Sequence, residues 1–355
     1  MEIPLGQRLR ELPGPVLLTG HTGFKGTWMT FLLEHLNVPV VGYSLPPEKD
    51  SLFDRAGRTG AIPEVFADIR DYETLEKFID DKKPSTIIHM AAQPLVLKSY
   101  ESPRETFDVN VMGTVSVLDI SFKKDFVKAI IVVTTDKVYR NDNSGRAFVE
   151  NDPLEGKDPY SASKVGTEAV VAAWQQIAKV FGGPRIVSVR AGNVIGGGDF
   201  AENRIIPDLV RGLISGNTVE IRNPTSTRPW QHVLDVSHAY LLCLEDLFRE
   251  FNVESINFGP NESSLEVNQL IKMAENFWPE KLLTETRFLE NKMESENLRL
   301  SSSLASSLLG WGNRLTQIES IRLSLAWWDA YIFKNESVET CIKSDIQRFF
   351  SNEKM

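Results

Sequence analysis

Six short apolar runs return at regular intervals along the first 192 positions, and this recurrence constrains the fold more than any other feature of the chain. They read PVLLTG, VPVVGYSL, EVFADI, STIIHMAA, KAIIVVTT and RIVSVRAG, each rich in β-branched residues. Continuous rather than alternating hydrophobicity marks strands that are covered on both faces. Between the runs the period changes. Trp28, Phe31, Leu32 and His35 recur at spacings of three to four, and ETFDVNVMGTVSVLDISF and SASKVGTEAVVAAWQQIA follow the same rhythm. Strand and helix in alternation predict an α/β fold built on a doubly wound parallel sheet. Past residue 190 the rhythm breaks into Pro- and Gly-punctuated segments, including GGGDF and NPTSTRPWQ, and a smaller second domain is expected there.

Composition narrows the function classes. The 355-residue chain is 42% hydrophobic and 25% charged, which suits a globular protein with a sizeable core. A net charge of -9 argues against nucleic acid or a membrane surface as partner, while leaving room for a local basic pocket that takes a phosphorylated substrate. The two cysteines, Cys243 and Cys341, are too few for a disulfide framework and lack metal-ligand spacing. A reducing compartment fits them. The N-terminus MEIPLGQRLRELPG has no apolar h-region, and no run approaches the roughly 18 apolar residues of a membrane span. The expected location is the cytoplasm.

Three short stretches carry the chemistry. The first apolar run leads straight into GHTGFKG, with Gly20, Gly23 and Gly26 three apart before an amphipathic helix. Such a loop lets bare backbone approach a pyrophosphate while the helix N-terminus presents unpaired N–H groups, so dinucleotide binding is expected here. The acidic residue usual at the end of the second strand is missing, since Tyr43 and Ser44 stand there, and the local motif leaves NAD and NADP both open. Asp68, closing the third strand, is placed either to meet the adenine or to cap the next helix. The second stretch is YSASK, at a helix start. Tyr160 and Lys164 share one helix face, so the ammonium can lower the phenol's pKa toward a value useful for proton abstraction. The third is VVTTDKVY. Its Thr135 hydroxyl can bind the same substrate oxygen as Tyr160, and its Asp136 and Lys137 are either a weak surface ion pair or something more.

Taken together, GHTGFKG, AAQPLV, TTDK, DPYSASK, RAGNVIGGGD, IRNP and RPWQHV resemble the extended short-chain dehydrogenases, and within them the sequence is similar to the CDP-glucose 4,6-dehydratase group. The match is dense over roughly residues 14–260 and thinner beyond, where ENLRLSSSLASSLLGW continues it. The resemblance implies a Rossmann-type sheet with a smaller C-terminal substrate-binding domain. It divides the chain into an NAD-binding part, 1–186 with a return segment about 232–250, and a nucleotide-sugar-binding part, 187–231 with 251–355. It implies catalytic Thr135, Asp136, Lys137, Tyr160 and Lys164, and an NAD retained through the cycle. Gly20, Gly23, Phe24, Lys25 and Gly26 would hold the pyrophosphate. Asp68 and Ile69 would meet the adenine, and Ala91, Ala92 and Gln93 the ribose-nicotinamide side, with Tyr160 and Lys164 also touching the cofactor. Gln93, Asn193, Arg204, Arg228 and Arg299 would bind the nucleotide-diphosphate sugar, for which guanidinium groups suit the diphosphate. The bland alternative for Arg228 and Arg299 is a solvated charge. His232 reads as a structural histidine, and no metal is expected.

The reaction so implied oxidises C4, eliminates water across C5 and C6, and returns the hydride to C6, as in deoxysugar biosynthesis of the lipopolysaccharide O-antigen kind. Lys137 takes the base position where related dehydratases place a Glu, and Asp136 the acid position. Moving one proton between them interconverts the ion pair and the working form, so the two behave as one coupled unit. A 4-epimerase needs Tyr160 and Lys164 without that pair, and a non-enzymatic dinucleotide-binding module tends to lose Tyr160 and Lys164. The resemblance further implies a homodimer or homotetramer through helices in residues 104–122 and 160–178. Departures from the family pattern fall around the base: the loop RNDNSGRAFVENDPLEG is charged with a single Phe148, Phe200 stands where a Trp is usual, and Asn203 replaces an Asp.

Overall fold

All six apolar runs become strands of one parallel sheet: β1 (Val16–Thr19), β2 (Val40–Ser44), β3 (Glu64–Phe66), β4 (Thr86–His89), β5 (Ala129–Val133) and β6 (Arg185–Ala191). The computed structural model describes residues 5–141, 144–221, 223–248, 253–278, 282–286 and 298–351. Arg222 of IRNP and residues 296–297 of the late motif lie outside the described residues. A seventh strand, Ser255–Phe258, joins the edge beyond β6, giving the order Ser255–Phe258, β6, β5, β4, β1, β2, β3. Every neighbouring pair is parallel. The sequence reading passes over the seventh strand because SINF is short and half polar. Asn257 is buried there for its hydrogen bonds: its Nδ2 donates to the Phe148 carbonyl at 3.0 Å and its Oδ1 accepts from the Tyr139 hydroxyl at 2.7 Å.

β3 is shorter than expected. It ends at Phe66, so Asp68 lies beyond the strand rather than closing it. As the sheet edge, β3 has one pairing neighbour and a half-exposed face, and fewer of its residues are drawn into the ladder. Strand order reverses between β1 and β4, which puts the ligand crevice of a doubly wound sheet outside the C-terminal ends of these two strands.

Helices cover both faces. Phe24–His35 follows β1 and buries Trp28 to Leu33. Pro159–Phe181 opens with proline in its first turn and a capping box, in which the Asp158 carboxylate accepts from the Ser161 N–H at 2.9 Å. The expected helix over 105–122 is not uniform: Pro103–Phe107 and Gly113–Phe122 flank a π-helical turn, Asp108–Met112. Such turns widen a helix locally to aim one side chain, here Asn110.

A second apolar cluster forms where Ile205–Ser215, Val267–Phe277, Gln317–Phe333 and Val338–Ser351 pack around Trp230, Trp278, Trp327 and Trp328. Trp28 belongs to it too, and its indole N–H donates to the Gly197 carbonyl at 3.1 Å. The Trp327 ring occupies the space that a Cβ on Gly197 would need. No helix among the described residues is long and apolar enough to cross a membrane.

The Trp327 contact predicts that Gly197→Ala, which overfills a packed interface, destabilises the chain by about 1–3 kcal/mol. A urea midpoint unchanged from the parent would show that Trp327 does not rest on bare backbone.

Candidate active site

The glycine loop is anchored at the switch point by β1 and β4. The Thr19 hydroxyl oxygen accepts from the Met90 and Ala91 N–H groups at 3.1 and 3.2 Å and therefore donates its own proton to His89 Nδ1 at 2.7 Å. The other ring nitrogen of His89, Nε2, then carries the proton and faces the Thr114 hydroxyl at 3.1 Å. Burial, followed by the nearby Lys164 charge, pushes His89 down to about 3, so it is a neutral strut. Gly20 has φ +73, and a Cβ there would sit 2.7 Å from the Ala91 nitrogen. A Cβ on Gly26 would run into the Gly20 carbonyl, whereas one on Gly23 would make only ordinary contact with it at 3.4 Å. No side chain caps the helix that starts at Phe24, and its leading N–H groups are left for an anion. The loop thus fits a dinucleotide pyrophosphate.

At the end of β2, Tyr43 turns inward and its hydroxyl donates to the Asp68 carbonyl at 3.1 Å, while Ser44 shares a 2.7 Å hydrogen bond with Thr22 of the glycine loop. Arg70 holds the Asp68 carboxylate through Nε and Nη2 at 2.9 and 2.6 Å, which keeps it below the usual carboxylate range. The capping role belongs instead to Asp71, whose carboxylate accepts from the Thr74 N–H at 3.2 Å. Ile69 is buried against Gly113. Ala91 and Ala92 follow β4 directly, but Gln93 turns its amide inward. Its Nε2 donates to the Leu95 carbonyl and the Thr106 hydroxyl, and its Oε1 accepts from the Leu95 N–H. Gln93 shapes the turn and is not among the residues lining the cleft.

That cleft, of about 960 Å³, is lined by Lys25, Thr135, Asp136, Lys137, Tyr160, Asn193, Arg204 and Arg228 among others. Thr135 ends the extended chain after β5, and its hydroxyl donates to Asp136 Oδ1 at 3.0 Å and accepts from the Lys137 N–H at 3.3 Å. Asp136 Oδ2 is buried without a hydrogen-bond partner among the described residues and lies against Gly192, where any side chain would displace it. Tyr160 is pushed up to about 12, because burial outweighs the Thr135 hydrogen bond. The expectation that Lys164 lowers it is not met in the chain alone. The Lys164 ammonium donates to the Val133 carbonyl at 3.1 Å, and burial pulls it down to about 8 against the opposing charge of Glu168. The dryness that makes the site reactive penalises both charged forms.

Two positioning residues escape the sequence reading. Glu168 continues the Tyr160, Lys164 spacing by one more turn, which is the signal that could have found it. It receives Arg190 through Nε and Nη2 at 2.8 Å each, the Thr134 hydroxyl at 2.6 Å and the Ser188 hydroxyl at 2.7 Å. Burial opposes its ionisation, but these donors win and hold it below the usual glutamate range. Asn110, in the π-helical turn, accepts from the Gln93 N–H at 2.8 Å and donates to the Ser163 hydroxyl at 2.8 Å, tying the β4 loop to the Tyr160 helix.

The substrate-side residues divide. Arg204 pairs with the buried Asp199 at 2.6 Å, and Arg228 donates to the Thr227 carbonyl at 3.0 Å. Arg299 lines a side pocket of about 160 Å³ with Arg146, Thr227 and Ser263, which shares Leu298 with the main cleft. Phe200 packs edge-on against Trp328 at 5.0 Å and is not among the cleft-lining residues, whereas Asn203 lines it. His232 is buried and caps the helix Val233–Asp246 through Nδ1, while Nε2 has no hydrogen-bond partner.

Residues 16–259 match the NAD dependent epimerase/dehydratase family. The CDP-glucose 4,6-dehydratase of Salmonella typhimurium is 38% identical over 348 residues, 95% of this chain and 96% of that protein. Among solved structures, UDP-glucose 4-epimerase of Thermotoga maritima with UDP-glucose superposes with a TM-score of 0.77 at 21% identity, over 90% of this chain and 99% of that one. The dTDP-glucose 4,6-dehydratase of Bacillus anthracis in complex with NAD gives 0.76 at 20% identity, over 93% and 99%. The two structures share the fold.

Glu168→Ala leaves Arg190 buried and unpaired, which costs about 3–5 kcal/mol. The expected result is a large drop in denaturation midpoint. In the parent, Glu168's contribution is complete above the ordinary glutamate range and is lost as pH falls through its lowered value. A variant as stable as the parent would contradict this account of the network.

Proposed function

The chain belongs to the NAD-dependent epimerase/dehydratase family, and from that premise we propose that it is a hydro-lyase converting CDP-glucose to its 4-keto-6-deoxy product. One observation carries the choice of dehydration over epimerisation: Asp136 and Lys137 line the same cleft as Thr135 and Tyr160. Epimerisation has no use for an acid and a base beside the oxidation site. The Salmonella relative supports the substrate and the reaction, and the arginines along the cleft suit a diphosphate.

NAD supplies the hydride acceptor for C4 and the donor for C6. Every proton in the sequence moves through the chain's own side chains. Thr135 orients the C4 hydroxyl and Tyr160 takes its proton. The 4-ketone acidifies C5–H; Lys137 removes that proton and Asp136 protonates the departing C6 hydroxyl. As hydride reaches C6, Lys137 returns its proton to C5, and the C4 hydroxyl proton taken by Tyr160 is the one that restores Asp136. Glu168 and Asn110 hold the helix and loops that carry these groups.

The finer expectations belong to the same proposal. A homodimer or homotetramer is supported by Phe107 and Met112, exposed on the segment that packs beside Pro159–Phe181. The buried free thiols of Cys243 and Cys341 suit a reducing cytoplasm. A role in deoxysugar biosynthesis follows from the product.

The test offers CDP-, dTDP-, GDP- and UDP-glucose and follows the 4-keto product. Efficient turnover of CDP-glucose alone is expected; a 4-epimer, or no turnover with intact NAD binding, would overturn the proposal. Tyr160→Phe should keep substrate binding and lose at least about 10²-fold in rate, and a near-parent rate would remove Tyr160 from the mechanism. Lys137→Met and Asp136→Asn should each still reduce the cofactor, seen as bound NADH absorbance on adding substrate, while product nearly disappears. Product at close to the parent rate, or failure even to reduce the cofactor while substrate still binds, would refute their assignment to elimination.

A further inference from the structure

Lys25 stands in a loop whose glycines contribute bare backbone. Its own N–H belongs to the helix start that receives the pyrophosphate, but its side chain runs elsewhere. The ammonium lies 5.7 Å from the Tyr240 ring centroid, and Lys25 lines the cleft shared by Thr135, Asp136, Tyr160 and Arg204. It has no hydrogen-bond or ion-pair partner among the described residues. Lys25 is half-buried on the cleft wall, and a lysine partly withdrawn from water without a bonded counter-ion is costly.

Lys25 and Arg204 both line this cleft, and Lys25 feels the charges of Arg204 and of Lys164, with Asp136 the opposing charge. Burial first, and then the charges of Lys164 and Arg204, pull Lys25 down to about 7. Hydride leaving C4 must be received close to Tyr160, the group that takes the C4 hydroxyl proton. The hydride carries two electrons and neutralises the positive nicotinamide ring; its return to C6 restores that charge. A fixed cation beside the ring therefore disfavours the oxidised form and favours the reduced one.

We propose that Lys25 sets the redox balance of the bound cofactor, its ammonium stabilising the neutral reduced nicotinamide over the cationic oxidised ring, in addition to any part its backbone plays in holding the pyrophosphate. This matters for a transient oxidation. A cofactor that is easier to reduce populates the 4-keto stage long enough for elimination, and the hydride still returns because the unsaturated ketone accepts it. The inference rests on the proposed hydride cycle, but its test contains no sugar, so it stands or falls apart from the substrate assignment.

The experiment measures binding of NAD and of NADH to the full chain at pH 6, below Lys25's own value of about 7, for the parent, Lys25→Arg and Lys25→Met. The parent should prefer NADH. Lys25→Met should shift the ratio of the two dissociation constants about tenfold toward NAD, the scale of one partly screened charge, equivalent to about 30 mV in a two-electron couple. Lys25→Arg should keep the parent ratio within about threefold. Equal weakening of both forms in Lys25→Met would mean a pyrophosphate contact only and would overturn the proposal, as would an unchanged ratio. Should Lys25→Met fail to fold, the parent decides alone: a midpoint potential of the bound couple at or below that of the free couple overturns it, and one above supports it.

Discussion

The buried ion pair between Glu168 and Arg190 is the interaction on which the site depends. It joins the Tyr160 helix to β6, and through the Thr134 and Ser188 hydroxyls it reaches the end of β5 and β6 again. Arg190 also donates to the Tyr139 hydroxyl at 2.7 Å, just past the Asp136–Lys137 turn. Pairs of this kind gain little net stability, because desolvation offsets most of the Coulomb attraction. Their directional hydrogen bonds are what an apolar substitute could not supply. With every acceptor of Glu168 occupied, the helix cannot rotate or slide without leaving a buried charge unmatched, so Tyr160 and Lys164 are held in register with Thr135.

The same dryness explains the unusual titrations. Tyr160 is pushed up to about 12, while Lys164 and Lys25 come down to about 8 and 7. All three move toward the neutral form, which is the signature of desolvation rather than of a single charged neighbour. The cleft of this acidic protein carries cations and carboxylates side by side, and burial moves Tyr160, Lys164 and Lys25 toward their neutral forms. That is a favourable state for chemistry that passes protons and a hydride back and forth.

Much of this was legible in the sequence, for identifiable reasons. Five of the six apolar runs are covered on both faces, so each announces its strand without knowledge of its neighbours, and β3 at the edge is the exception. GHTGFKG is legible because its glycines answer to local steric demands at Gly20 and Gly26. The seventh strand was not legible, since Ser255–Phe258 is held by β6 and by the hydrogen bonds of Asn257, both distant in sequence. Asp68 was misplaced because a strand's length at a sheet edge depends on pairing, and its capping role fell to Asp71, three residues on. Gln93, Asn110 and Glu168 show the same limit within the site. A polar residue in an apolar stretch signals burial with partners, but the partners come from other elements and cannot be named in advance. Helix spacing alone predicts that Lys164 acts on Tyr160, but it could not show that the Lys164 ammonium donates to the Val133 carbonyl of a distant strand.

Gly192 links the two halves of the chemistry. It follows β6, and Asp136 Oδ2 rests against it with no hydrogen-bond partner among the described residues. In the elimination proposed above, Asp136 as the acid needs one oxygen free of the protein, and Thr135 already engages the other. Crowding by a side chain at 192 would push the carboxylate toward solvent, and a donor there would consume the oxygen that elimination uses. Bare backbone at this position keeps Asp136 both buried and available. On the proposed assignment of Asp136 and Lys137, dehydration uses, besides the acid and base, a gap at the exit of the adjoining strand that leaves the second Asp136 oxygen to the substrate.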